Sequence, residues 1–362
     1  MTEKYREPRM DKERNKEPRI AFIGAGAMGS YIGGRIAQSG RNVTLIDPWN
    51  EHIEAIKRTG VQLLGTEGES SVRVTALHVD EIHELAKWPI DVAFIAVKSY
   101  DTAWAAERVL PYLAPEGFVV SLQNGINEQT IAGIVGADRT LGCIASTMGV
   151  ALRGPGRVER TYRPGRDTYT VFRVGELDGR LTPRVQSVVT MLRSVDSAEA
   201  TTDLRGERWA KLAANSMHNG LAAVTGLGHL QIYGQTQPRW LAIRLGAEAV
   251  RVGRGLGLRL HPVRGIPAAD LEAAGYGDRS ALERVERVIQ GGMARLTESL
   301  RPSTAQDAMK GRRTEIDYIN GAVCAKAAEV GVTVPCQHAI VELVKRVERG
   351  ELFPAPENIS GI

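Results

Sequence analysis

The stretch that most constrains this chain is Ile20-Ala-Phe-Ile-Gly24-Ala25-Gly26-Ala27-Met28-Gly29. A short apolar run ends in G-x-G-x-x-G and opens a helical pattern. In that setting Gly24 permits a tight turn and Gly26 lets the backbone approach a pyrophosphate. Gly29 lets the helix pack closely on the strand, and the helix N-terminus stabilises phosphate charge. The motif alone also occurs in ordinary loops. Its place between strand and helix makes Gly24, Ala25, Gly26, Ala27, Met28 and Gly29 candidates for dinucleotide binding.

Four more apolar runs follow at residues 43–46, 92–97, 118–122 and 141–145, with helical stretches at 28–38, 52–58, 102–110 and 128–135. The runs are continuous rather than alternating, as in parallel strands covered on both faces. This alternation of strand and helix predicts an α/β fold, a doubly wound parallel sheet of Rossmann type over residues 19–203. Residues 148–200 carry turn signals at Gly154, Gly156 and Gly165 and a strand-like run at 169–174, read as an antiparallel extension. Beyond residue 204 the pattern is helical, at 207–223, 240–255, 281–300, 304–330 and 338–349. It predicts an all-α domain over 204–362 that carries the substrate side and a homodimer face. The Gly/Pro-rich segment 255–280 is expected to be an ordered loop beside a cleft or a cover over it.

Ligands of doubly wound sheets bind at the carboxyl ends of the strands. Asp47 ends the second run. Its carboxylate can accept hydrogen bonds from a ribose and repels a 2′-phosphate, which predicts NAD(H) over NADP(H) unless Arg41, Lys57 or Arg58 reaches the phosphate. Asp47-Pro48 equally suits a plain turn. Lys98 and Asn124 follow the third and fourth runs; each is a candidate for cofactor contact or else a local cap.

The charge balance narrows the partners. The chain has 46 Lys and Arg against 42 Asp and Glu, a net charge of +4 with no basic stripe, and no nucleic-acid partner is expected. No apolar run reaches about 18 residues, so no membrane partner is expected either. Residues 1–18 are polar and charge-dense, without the apolar core of a secretory signal; they read as a disordered tail, with a cytoplasmic location. The three cysteines, Cys143, Cys324 and Cys336, form no CxxC pair, and neither a disulfide framework nor a metal site is expected.

In the second half, Glu207-Arg-Trp-Ala-Lys211-Leu-Ala-Ala-Asn215-Ser-Met-His-Asn219 sets Lys211, Asn215 and Asn219 along one side of one predicted helix. Asparagine competes for backbone hydrogen bonds inside helices. Two of them in register with a lysine suit a cleft that binds a carboxylate and a carbonyl oxygen together; a solvated helix face is the plainer alternative. His218 lies on another face and reads as a packed or surface histidine. Ser303 with Gln306 three residues later reads as a capping box, and a helix start of this kind also binds carboxylates. Glu315 sits beside Ile316 and Ile319, where it could pair with a lysine, meet a ligand or face solvent.

Together these pieces resemble the ketopantoate reductase family (2-dehydropantoate 2-reductases), with a 6-phosphogluconate-dehydrogenase-like C-terminal domain. The resemblance rests on the 24–29 loop, Val97-Lys98, Gln123-Asn124-Gly125, Trp209-Ala-Lys211-Leu-Ala-Ala-Asn215 with Asn219, and Thr314-Glu315-Ile-Asp317-Tyr318-Ile-Asn320-Gly321. It implies reduction of a 2-oxo acid to a 2-hydroxy acid by a nicotinamide cofactor. It also implies Lys211 as general acid, Glu315 as the catalytic-site glutamate that contacts the lysine or the cofactor, Asn215, Asn219 and Ser303 on the substrate, and Lys98 and Asn124 on the cofactor. The family's arginine after the second strand is replaced here by Asp47-Pro48, and a further substrate asparagine by His229. The expected activity is therefore a 2-oxo acid reductase of this type. An alcohol dehydrogenase acting on a larger substrate and a true 2-dehydropantoate 2-reductase are the alternatives, and a dinucleotide sensor without turnover stands further off.

Overall fold

The computed structural model describes residues 17–166, 168–293 and 301–362. Apart from residues 17 and 18, the expected N-terminal tail lies outside the described residues, as does the end of the helix expected at 281–300.

The first half runs β1 (Ile20–Ile23), α1 (Ala27–Gln38), β2 (Val43–Asp47), α2 (Asn50–Thr59), β3 (Val61–Gly65), β4 (Ser70–Val72) and β5 (Thr75–His78). It continues with β6 (Ile90–Ile95), α3 (Thr102–Val109), β7 (Leu113–Ser121), α4 (Glu128–Val135), β8 (Thr140–Ala145), β9 (Val150–Gly154) and β10 (Arg157–Arg160). It ends with β11 (Phe172–Glu176), α5 (Pro183–Leu192) and β12 (Ala198–Ala200). Eight strands form one sheet in the order β12-β11-β8-β7-β6-β1-β2-β5. Its central strands are parallel, and β11 enters antiparallel to β8, with Phe172 opposite Ala145. All four residues of β1 are buried, as an uninterrupted apolar run in a doubly covered sheet requires.

Strand order reverses between β1 and β6: the chain moves outward from β1 to β2 on one side and from β6 to β7 on the other. The crevice that opens there is where ligands of such sheets bind, and both the Gly24 loop and Lys98 lie at its mouth.

A second sheet, β4-β3-β10-β9, was not foreseen from the sequence. Its strands are three to five residues long, and β10 pairs parallel with β3 and antiparallel with β9. Strands this short give no periodicity to detect.

The second half consists of α6 (Leu204–Ser216), α7 (Asn219–Thr225), α8 (His229–Gly234), α9 (Thr236–Gly255), α10 (Ala268–Gly275), α11 (Arg279–Met293), α12 (Ser303–Met309), α13 (Asn320–Val330) and α14 (Pro335–Glu348). One apolar core joins them, from Trp209 and Leu212 on α6 through Leu241 and Leu245 on α9 to Ile340 and Val344 on α14. Two helices expected to be continuous are broken. The 207–223 stretch stops at Ser216 and restarts at Asn219, because the His218 ring turns back to the Ala214 carbonyl at 3.0 Å. The 304–330 stretch breaks after Met309, where Gly311 takes φ +63°. The 255–280 segment holds α10, packed on α9 and α11.

Candidate active site

The dinucleotide loop is rigid for steric reasons. Gly24 has φ +98°, and a Cβ there would lie 2.7 Å from the Val97 amide nitrogen. A Cβ on Gly29 would sit 2.0 Å from the Gly24 carbonyl oxygen, so helix and turn touch backbone to backbone. At Gly26 a Cβ would meet nothing within 4 Å. Gly26 is the N-cap of α1 and no side chain caps that end. The open space therefore faces the first amides of a twelve-residue helix, which is the cradle a pyrophosphate needs.

Asp47 stands at the end of β2 with both carboxylate oxygens in use. Oδ2 accepts from the Ala25 amide at 2.8 Å and Oδ1 from the Trp49 amide at 2.9 Å. It thus holds the loop and forms the turn that Asp47-Pro48 suggested, while its charge remains beside the cradle. Of the cations that could offset it, Lys57 is engaged by Glu54 and Glu81 at 3.0 and 2.8 Å.

Behind the loop lies a buried chain of hydrogen bonds that the sequence did not reveal. Ser30 Oγ donates to the Ala25 carbonyl at 2.6 Å, and His52 Nε2 lies 3.0 Å from that hydroxyl. His52 Nδ1 accepts from the Gly156 amide at 3.0 Å, which places the ring proton on Nε2. Burial lowers the His52 pKa, against opposing attraction from Asp47.

Across the crevice, Lys98 and Asn124 are where strand ends should put them, but their present partners are protein groups. The Lys98 ammonium pairs with Asp307 and lies 3.5 Å from Glu315 Oε2. Burial disfavours its charge, yet Glu315 and Asp307 outweigh that and raise its pKa. Glu315 is buried at 3% exposure, and its Oε1 accepts from both the amide and the hydroxyl of Ser99 at 2.9 Å. Glu315 therefore meets Lys98 and Ser99 rather than ion-pairing with Lys211. The Asn124 carbonyl accepts from Ser99 Oγ at 3.0 Å and from Asn127 Nδ2 at 2.7 Å.

Lys211 and Asn215 are half-buried on α6, and Lys211 Nζ donates to the Ala145 carbonyl at the end of β8. Its pKa is pushed down to about 7, by burial first and by the Arg208 charge second. Asn219 is buried but opens α7, so the three residues bridge a helix break instead of sharing one helix. His229 is the first residue of α8, half-buried, its ring 5.1 Å from that of His218. His218 is buried rather than at the surface, 2.5 Å from the Tyr233 hydroxyl. Ser303 is the first helical residue of α12, with Pro302 as the N-cap. The capping box is absent; Gln306 Nε2 instead donates to the Arg301 carbonyl at 3.0 Å.

Sequence reasoning missed Ser99, Asp307, Arg208 and Thr147. Arg208 carried a readable signal, a second cation three residues before Lys211 and thus beside it on the helix. Thr147, two residues past Ala145, has φ +53°, rare for a β-branched residue and found where backbone is held for a purpose.

Two family models match the chain: Ketopantoate reductase PanE/ApbA over residues 20–173 and Ketopantoate reductase PanE/ApbA C terminal over residues 203–348. The 2-dehydropantoate 2-reductase of Archaeoglobus fulgidus is 30% identical over 335 residues, covering 92% of this chain and 98% of the relative. Among solved structures, a PanE/ApbA family ketopantoate reductase from Ralstonia eutropha JMP134 superposes with a TM-score of 0.75 at 26% identity, covering 92% and 99% of the two chains. D-mandelate dehydrogenase, solved with NADH and anilino(oxo)acetate, shares the fold with a TM-score of 0.76 at 22% identity, covering 92% and 100%. The chain belongs to the ketopantoate reductase family, oxidoreductases acting on a CH–OH donor.

Proposed function

We propose that the protein reduces the carbonyl of a 2-oxo acid larger than ketopantoate, with NADH as the preferred cofactor and Lys211 as the proton donor. The observation that supports this most is the Lys211 ammonium, fixed on the Ala145 carbonyl and depressed to about 7. A general acid works best when its pKa lies near the working pH.

The residues present fit a dinucleotide: the open cradle above Gly26, the uncapped start of α1, and Lys98 and Asn124 at the facing strand ends. A bound nicotinamide would supply the hydride. The rest is done by the chain. The amides of Ala27, Met28 and Gly29 would hold the pyrophosphate. Asp47, already oriented by two amides, would accept from the adenosine ribose and disfavour a 2′-phosphate. Asn215, Asn219 and Ser303 would orient the 2-oxo acid, and the Lys211 proton would neutralise the charge growing on its oxygen. Glu315, held by Ser99, would keep Lys98 in place.

His229 decides the substrate within this reading. An imidazole is bulkier than an amide and places its donor and acceptor on opposite sides of a ring. It is backed by His218 and Tyr233 at 5.1 and 5.0 Å ring spacings along the cluster. A pocket built this way rejects a ligand that needs an asparagine's paired donor and acceptor.

The test has three parts. Lys211→Ala should lower kcat about 10²–10⁴-fold with cofactor affinity unchanged. NADH should exceed NADPH in kcat/KM, and Asp47→Asn, which keeps an acceptor for the Ala25 amide, should narrow the gap. Larger 2-oxo acids should exceed ketopantoate in kcat/KM, with His229→Asn reversing the order. A wild type that prefers ketopantoate and ignores His229→Asn is an ordinary ketopantoate reductase.

A further inference from the structure

At the carboxyl end of the main sheet, β7 and β8 part company. Their pairing ends with Ser121 opposite Gly142, although β8 continues to Ala145. Ser146 donates to the Val171 carbonyl, just ahead of β11. By strand alternation the carbonyls of Cys143 and Ala145 point the other way, into the space β7 has vacated. Two cations of α6 fill it. Arg208 donates to the Cys143 carbonyl at 3.2 Å and, through its other nitrogen, to the Gln123 carbonyl at 3.0 Å, just beyond the end of β7. Lys211, one turn further along α6, donates to the Ala145 carbonyl. The two side chains therefore read successive same-side carbonyls of one strand.

Arg208 is 3% exposed and pairs with Glu128, itself 6% exposed at the start of α4. A guanidinium stays charged at any working pH and cannot relax by losing its proton. A second cation beside it must yield instead.

We propose that the Arg208–Glu128 pair is the positioning device for Lys211, fixing α6 against the open end of β8 and setting the charge against which Lys211 releases its proton. Arg208 and Glu128 pull in opposite senses, with the larger effect from Arg208. The other groups facing Lys211 are Cys143 on β8 and Glu315 ahead of α13. The Cys143 thiol is pushed up to about 12 by burial and stays neutral. Glu315 attracts the ammonium from across the crevice.

The proposal rests on Lys211 as proton donor and is tested by a pH profile. Reduction needs the protonated amine, so kcat/KM for 2-oxo acid reduction should fall as pH rises through about 7 in the wild type. Arg208→Gln should move that limb up by about one pH unit, and Glu128→Gln should move it down. Arg208→Lys keeps the charge without the fork; its limb should stay at the wild-type position while Tm drops. The same two shifts, and the unmoved position in Arg208→Lys, should appear without cofactor or substrate, in NMR titrations of 13C-dimethylated protein with the Lys211 signal assigned by Lys211→Arg. Should Arg208→Gln fail to fold, Glu128→Gln and Arg208→Lys still decide the matter. Limbs that do not move, in a protein that Lys211→Ala inactivates, overturn the proposal and leave Arg208 a structural plug. An active Lys211→Ala variant overturns the proton-donor reading itself.

Discussion

Two glycines three residues apart do opposite work, and the difference predicts what alanine does at each. At Gly29 a Cβ would lie 2.0 Å from the Gly24 carbonyl oxygen, a backbone atom that has nowhere to go. Gly29→Ala should cost about 1–3 kcal/mol of stability and lower Tm by several degrees, with cofactor affinity lost along with the loop. At Gly26 the Cβ enters open space. Gly26→Ala should change Tm little, since alanine for glycine at an N-cap costs under about 1 kcal/mol, yet weaken cofactor binding about tenfold or more. Thermal denaturation with calorimetric titration of NADH separates the two; equal Tm losses would mean that the space above Gly26 is not the cradle. Both glycines were legible in the sequence because the motif encodes backbone geometry. The partners of Glu315 were not, because Ser99 and Lys98 lie in the other half of the chain.

At the scale of elements, the small sheet reaches the cofactor loop through one histidine. The β9–β10 turn brings the Gly156 amide to His52 Nδ1, and the Nε2 side of the ring supports Ser30 and, through it, the Ala25 carbonyl. Protonation would put a second donor against the Gly156 amide, so the ring must stay neutral. Its folded pKa is lowered, by burial foremost, from the ordinary 6.5. The unfolded chain therefore takes up the proton first. The stability due to neutral His52 is complete above about 6.5 and is lost as pH falls from there toward the lower folded pKa. Tm should drop between pH 7.5 and 5.5, and His52→Asn, already weakened at pH 7.5, should show a flatter profile. A parallel profile would remove His52 from the acid response. The sequence showed the long buried strands of the main sheet, because their apolar runs are continuous. It hid the small sheet, whose two short hairpins are joined only through the pairing of β3 with the distant β10. It also hid the α6–α7 break, which no glycine or proline marks.

At the scale of the whole molecule, the contacts that tie the sheet half to the helical half include Lys98 to Asp307, Ser99 to Glu315 and Glu128 to Arg208. The Lys98 side chain is 36% exposed, which limits its pair with Asp307 to about 1 kcal/mol. Asp307→Asn should lower stability by that amount and speed tryptic cleavage at the exposed Arg205, where the two halves join. An unchanged cleavage rate would show that Arg208 and Ser99 hold the halves together without it. Long stretches of chain separate the partners, within the sheet half as well as between the halves. His52 meets Gly156 across 104 residues, and Ser99 meets Glu315 across 216. A chain emerging from the ribosome thus carries its glycine loop early but cannot brace it until β10 has followed. It cannot close the crevice until Glu315 is out. Cofactor capture is then a late event in biosynthesis, and an arrested nascent chain ending before residue 315 should leave NADH in solution.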